Sequence, residues 1–150
     1  MKSNYLKFGL MMIVSFIIMY AVMFLNLAKW DHLMVSATRT YMTLLMIAPM
    51  AISMMLFMWK MYKDKKTNVI IISVSVVVFI LSLIGLRKQV PISDVQYMKA
   101  MIPHHSSAIL VSNNANLYDP EVIELSKEII EAQEKEIALM KAAIQRLESE

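Results

Sequence analysis

The chain has 150 residues, 58% of them hydrophobic, and a mean hydropathy of +0.54, which excludes an ordinary soluble domain. Its net charge of +3 joins two unlike parts: ten Lys/Arg against two Asp/Glu through Lys88, then five against ten, so the basic balance flanks membrane segments and is no nucleic-acid footprint. The absence of cysteine excludes disulfides and thiolate metal ligands, two glycines exclude a phosphate-cradling loop, and 16 methionines are several times ordinary usage.

Three apolar runs, 8–28, 41–59 and 69–86, are each long enough for a bilayer crossing, which takes about 20 residues. Lys2 and Lys7 precede the first run as in a signal sequence, but no small-residue cleavage pattern follows, so it reads as a retained signal anchor. Trp30 and Tyr41 near one membrane face, and Trp59 and Tyr62 near the other, suit interfacial anchoring. The second run carries Met42, Met46, Met50, Met54 and Met58, a step of four that winds partway round a helix. That ladder fits interhelical or lipid-facing packing, with a thioether path for Cu(I) as the rival reading. The third run is Val/Ile/Ser-rich without methionine, and no charged residue or histidine lies inside any predicted span, which argues against a charge-relay transporter. Lys60, Lys63, Lys65 and Lys66 place the 60–67 loop and the N-terminus in the cytoplasm, and hence the 29–40 loop and the C-terminal part outside it.

Residues 1–88 are therefore read as the membrane anchor and 89–150 as one small helical module. A helix is predicted from Ser93 or Asp94 to about Asn114. A second is predicted to follow Asp119 as N-cap and Pro120 as first helical residue, running to about Leu147. The apolar face of the second is read as Val122, Ile129, Ile137, Met140, Ile144 and Leu147, interrupted by Ser126 and Gln133. Two helices of this size bury too little surface to stand alone, so the module is expected to pair with a second copy as a four-helix bundle or to pack on the membrane helices.

Within the first of these helices, Met98, Met101 and His105 fall within about 60° of one another, placing two thioethers and an imidazole on one face. Such a donor set suits Cu(I) and suits Mg²⁺ or Ca²⁺ poorly, whereas a methionine-filled core with one hydrogen-bonded histidine is the structural alternative. His104 lies about 100° from His105, so one ion takes both only where Pro103 distorts the helix; Pro103 either splits the helix or kinks it. Gln133 is a candidate partner of His105, directly or as an orienting group on a ligating ring. His32 is either an ordinary interfacial histidine or a supplementary ligand, with Met34 two residues on.

The motif Met98-x-x-Met101-Ile102-Pro103-His104-His105-x-x-Ala108-Ile109, followed by Ile129-Ile130-x-x-Gln133-x-x-Glu136-Ile137-x-x-Met140, resembles the bacterial domain-of-unknown-function family 305. The resemblance covers about Ser93 to Leu147. It implies an exported, ferritin-like helical module that binds copper or silver, with Met98, Met101, His104, His105 and Met140 as ligands. Family members often carry a second histidine–methionine helical pair; this chain has one, which again implies a homodimer or higher homo-oligomer. Leu110 and Val111 stand where members often have a methionine.

The sequence thus predicts an all-α protein: three transmembrane helices in a bacterial cytoplasmic membrane, followed by an extracytoplasmic two-helix hairpin. Its expected role is copper sequestration or handling, with Cu(I) and possible Ag(I) as ions and membrane lipid as its surroundings. The alternatives are a structural or partner-docking protein, and a copper-conducting oligomer using the methionine ladder. No Glu-x-x-His pair, His-Glu-x-x-His or nucleophile–base set is present, so no enzyme is expected.

Overall fold

The computed structural model describes residues 2–149. It is all-α: α1 (Lys2–Val22), a 3₁₀ turn (Trp30–His32), α2 (Ala37–Phe57), α3 (Lys65–Lys88), α4 (Asp94–Asn114) and α5 (Pro120–Ser149), with no strand among the described residues. The helices form two compact units, one of residues 1–22 and 38–91, the other of 23–37 and 92–150.

In the first unit, α1, α2 and α3 are each long and apolar enough to cross a membrane. The chain is a membrane protein by that measure, and side chains such as Ile13, Ile17, Ile70 and Val77 lie exposed on these helices where lipid would cover them. α1 ends at Val22, short of the expected 28, because the apolar residues after it belong to the second unit. α2 begins at Ala37 instead of 41 and so takes in Arg39, which is buried; Lys7 likewise lies in the first span. The expectation that no charge falls inside a span is corrected accordingly.

A small cluster of Phe8, Ala51, Met55 and Tyr62 ties these helices together, with Met12, Met54 and Met58 packed against it. Asn68, fully buried, accepts from Tyr5 Oη at 2.8 Å and donates to the Tyr62 carbonyl at 2.8 Å. Asp64 caps α3 by accepting from the Lys66 and Thr67 N–H groups, and Gln89 closes it in the left-handed region at φ 50°. Gly85 is required by packing: a Cβ there would lie 2.8 Å from the Tyr41 ring, whose hydroxyl donates to the Val90 carbonyl. The methionine ladder does not stay together, since Met54 and Met58 pack on the cluster, Met46 is exposed, and the fully buried Met55 is outside the series.

In the second unit, α4 and α5 run antiparallel. Ser93 caps α4 by accepting from Gln96 N–H, and Asp119 caps α5 by accepting from the Glu121 and Val122 N–H groups. The helices meet along a seam spaced three and four residues apart: Val95, Met98, Ile102, His105, Ile109 and Ser112 on α4, against Ile123, Ser126, Ile130, Gln133, Ile137, Met140, Ile144 and Leu147 on α5. Ile102, Ile109, Ile137 and Ile144 are its buried aliphatic centre.

The apolar face expected for α5 is thus corrected at its first half. Val122 and Ile129 lie exposed one residue off the seam, while Ser126 and Gln133, read as interruptions, lie on it. A polar seam position is tolerated because Ser126 Oγ donates across to the Ser112 carbonyl at 3.4 Å. α4 also runs unbroken through Pro103, so the proline does not split it; the ring is buried.

Candidate metal centre

His105 occupies a seam position where an aliphatic side chain would otherwise sit, and it is buried. Its Nδ1 lies 3.0 Å from the Met101 carbonyl oxygen one turn back, and its Nε2 lies 2.6 Å from Glu136 Oε2 on the facing helix. Both neighbours are oxygen acceptors, and the contact with Glu136 crosses the hairpin. Glu136, not Gln133, is therefore the partner of His105. The Glu136 side chain is 53% exposed against 10% for that of His105. The glutamate can reach solvent; the imidazole cannot.

Around this pair the expected ligands separate into groups. Met98 is buried in the aliphatic seam, and Met140 packs against the same cluster from α5. Met101 is half-buried one turn before His105 and holds its ring through the backbone. His104 is exposed, with its ring centroid 6.1 Å from that of His105 and the planes tilted by 63°. The fold therefore brings His105, Met98 and Met140 to one side of α4 and leaves His104 on another.

Among the described residues, no three or more His, Cys, Asp or Glu side chains are grouped so as to hold a metal ion. The side-chain donor shown beside His105 is the Glu136 carboxylate at 2.6 Å, with Met98 and Met140 farther along the same seam.

Residues 23–37 wrap one side of this hairpin. Ser106, fully buried on α4, accepts from Ala28 N–H and hydrogen-bonds His32 Nδ1, each at 2.9 Å; Asn26 donates to Ser107 Oγ at 2.7 Å, and Ala37 N–H to Gln96 Oε1 at 3.0 Å. Asp31 accepts from Lys141 at 2.7 Å, and Lys29 approaches Glu134 at 3.9 Å, around a recess of about 290 Å³. Burial holds the His32 imidazole below its ordinary value of 6.5; Lys141 and Lys29 act in the same direction, Asp31 and Glu134 against it. The Lys141 hydrogen bond, helped by His32 nearby, lowers Asp31. With Nδ1 on Ser106, His32 serves this clasp, and Met34 packs against the seam beside it.

Sequence reasoning missed Glu136 and Ser106. Glu136 had a signal, since it lies one turn before Met140 within the second half of the motif. Ser106 had none, because its partners lie 74 and 78 residues away in the sequence.

The family described as Domain of unknown function (DUF305) matches residues 82–144, which contain α4, most of α5 and every residue of the His–Met cluster. The chain is also similar to the Uncharacterized protein L153 of Acanthamoeba polyphaga mimivirus, 34% identical over 106 residues, or 69% of this chain and 68% of that protein. No solved structure matches.

Proposed function

The chain belongs to the Domain of unknown function (DUF305) family, and from that premise we propose that its helical hairpin is a membrane-tethered module that binds a soft monovalent metal ion. Cu(I) is the first choice and Ag(I) the second, both as cargo for sequestration or handling. The observation that carries this reading is the hold on His105. With Nδ1–H donating to the Met101 carbonyl, the ring is fixed so that Nε2 is the ligating nitrogen, the usual arrangement of a metal-bound histidine.

Nε2 now faces Glu136, and exchanging that carboxylate for an ion requires the glutamate to swing to solvent. Met101 and Met140 supply thioethers one turn away on either helix. Met98 lies two turns from His105, about 10 Å along α4, and His104 stands outside as a capture ligand. The Lys-rich 60–67 loop supports placing the hairpin on the extracytoplasmic side of a bacterial cytoplasmic membrane.

Titration of the purified full chain with Cu(I) against a chromophoric chelator tests the reading. His105→Ala is expected to weaken binding by about tenfold or more, Met101→Leu and Met140→Leu by less, and Glu136→Ala to leave it intact or tighter. Undiminished binding in a variant lacking Met98, Met101, His105 and Met140 would overturn it.

A second reading has its own support. Both ring nitrogens of His105 are satisfied within the protein, and Met98 lies among isoleucines, as in a hairpin that serves only to pack and dock. Under that reading His105→Ala loosens the hairpin and no variant changes metal uptake.

A further inference from the structure

We propose that the lysine cluster where α2 turns into α3 is a binding site for the phosphate headgroup of an anionic phospholipid. The inference makes no use of the metal reading, because every residue in it belongs to the first unit. The start of α1 is fastened to this turn. Tyr62, 3% exposed, has its ring 5.1 Å from that of Tyr5 and meets Phe8 edge-on at 5.9 Å. Tyr5 Oη lies 3.2 Å from the Asp64 carbonyl and 2.8 Å from Asn68 Oδ1, and Asn68 holds the Tyr62 carbonyl.

On the outer surface of this turn Lys60, Lys63, Lys65 and Lys66 are exposed, with Lys7 exposed on α1. Asp64 is the one acidic residue in the sequence of this unit, and its carboxylate is already committed. Its Oδ1 accepts from the Lys66 and Thr67 N–H groups, and its Oδ2 from Thr67 Oγ1 at 2.6 Å. Among the described residues, none of these lysines pairs with a carboxylate, whereas Lys29, Lys99, Lys127 and Lys141 of the second unit each do. Four like charges within seven residues repel one another and so favour an anion from outside the chain.

Two observations give that anion an acyl tail. The cluster closes off the ends of three helices long and apolar enough to span a membrane, which sets its ammonium groups at headgroup depth. Apolar side chains also lie exposed directly inside it: Leu6 beside Lys7, Phe57, at 91% exposure, three residues before Lys60, and Ile70 four residues after Lys66. A phospholipid places phosphate oxygens on the lysines and hydrocarbon on these residues; free phosphate offers only the first.

The test uses the full chain with Trp30→Phe, because Trp59 is then its sole tryptophan and reports from the cluster itself. It is reconstituted in vesicles of brominated phosphatidylcholine mixed with unbrominated phosphatidylglycerol, and relief of Trp59 quenching gives the preference for the anionic lipid. A preference of about fivefold or more is expected, the factor that one lysine near a lipid surface supplies. Replacing Lys60, Lys63, Lys65 and Lys66 together by Gln should bring it to unity with helical content unchanged. Asp64→Asn, which keeps an oxygen for the cap, should raise it. Arg87→Gln with Lys88→Gln removes charge from the opposite end of α3 and should leave it unaltered. No preference in the chain with its lysines intact overturns the proposal, as does an equal loss in the 87/88 variant, which would reduce the effect to net charge. Loss of the preference on adding millimolar inorganic phosphate at constant ionic strength overturns the lipid as the source and assigns the lysines to free phosphate.

Discussion

The two sides of the α4–α5 hairpin have opposite chemistry. The clasped side is polar and buried: Ser106, fully inaccessible, holds Ala28 and His32, and ion pairs from Asp31 and Lys29 close over the rim. The other side is open, with the apolar Leu139 and Val111 among its most exposed residues and His104 and Glu136 beside them. Burial alone therefore does not distinguish where apolar residues lie. A segment far away in sequence can seal a polar face by matching its hydrogen bonds, while an apolar face stays bare until something of matching shape arrives.

The seam between the two sides sets the largest effect. Ile102→Ala, at 0% exposure, is expected to destabilise the hairpin by about 2–5 kcal/mol, read from hydrogen exchange of the α4 and α5 amides. On the clasped side, Ser106→Ala leaves the Ala28 N–H and His32 Nδ1 without their partner. A loss of about 1–3 kcal/mol and faster exchange confined to residues 23–37 are expected; exchange unchanged there would mean that the clasp is not held by Ser106.

Acid should act on the same place. Because burial holds His32 below its ordinary value, the stability it confers is fully present above pH 6.5 and is lost as pH falls below that value. Protection of residues 23–37 should therefore drop between pH 7 and 5 in the native chain and not in His32→Gln. The Asp31–Lys141 contribution, from a carboxylate lowered by its lysine, should be fully present well above 3.8 and be lost as pH falls below it. Lys141→Met is expected to cost under about 1 kcal/mol, since the Asp31 side chain is 64% exposed. Val122→Ser on the open side should change protomer stability by no more than about 0.5 kcal/mol, and a larger loss would show that this side is already packed.

Much of this architecture was legible in the residues. Hydrophobic run length marks the three spans, and Ser93, Asp119 and Pro120 mark the ends of the last two helices, because capping chemistry is local. What lay outside local pattern was missed. Val122 and Ile129 are as apolar as Ile123 and Ile130, and only the facing helix decides which pair is covered. Ala28 continues the hydropathy of α1 without a break, so nothing in that run reveals that it leaves it for α4. At the candidate centre, the spacing of Met98, Met101 and His105 placed them on one helix; Glu136 entered from the other helix, beyond the reach of a one-helix periodicity.

The clasp has a consequence for biosynthesis. Residues 23–37 emerge from the ribosome ahead of α2 and α3, yet the surface that covers Ala28, His32 and Met34 arrives only with α4 and α5. Some 70 residues separate the two, a delay of roughly 4–14 s at ordinary translation rates. Nascent chains stalled near residue 92 should accordingly be captured by chaperones or nicked by proteases within 23–37, and chains released after α5 should not.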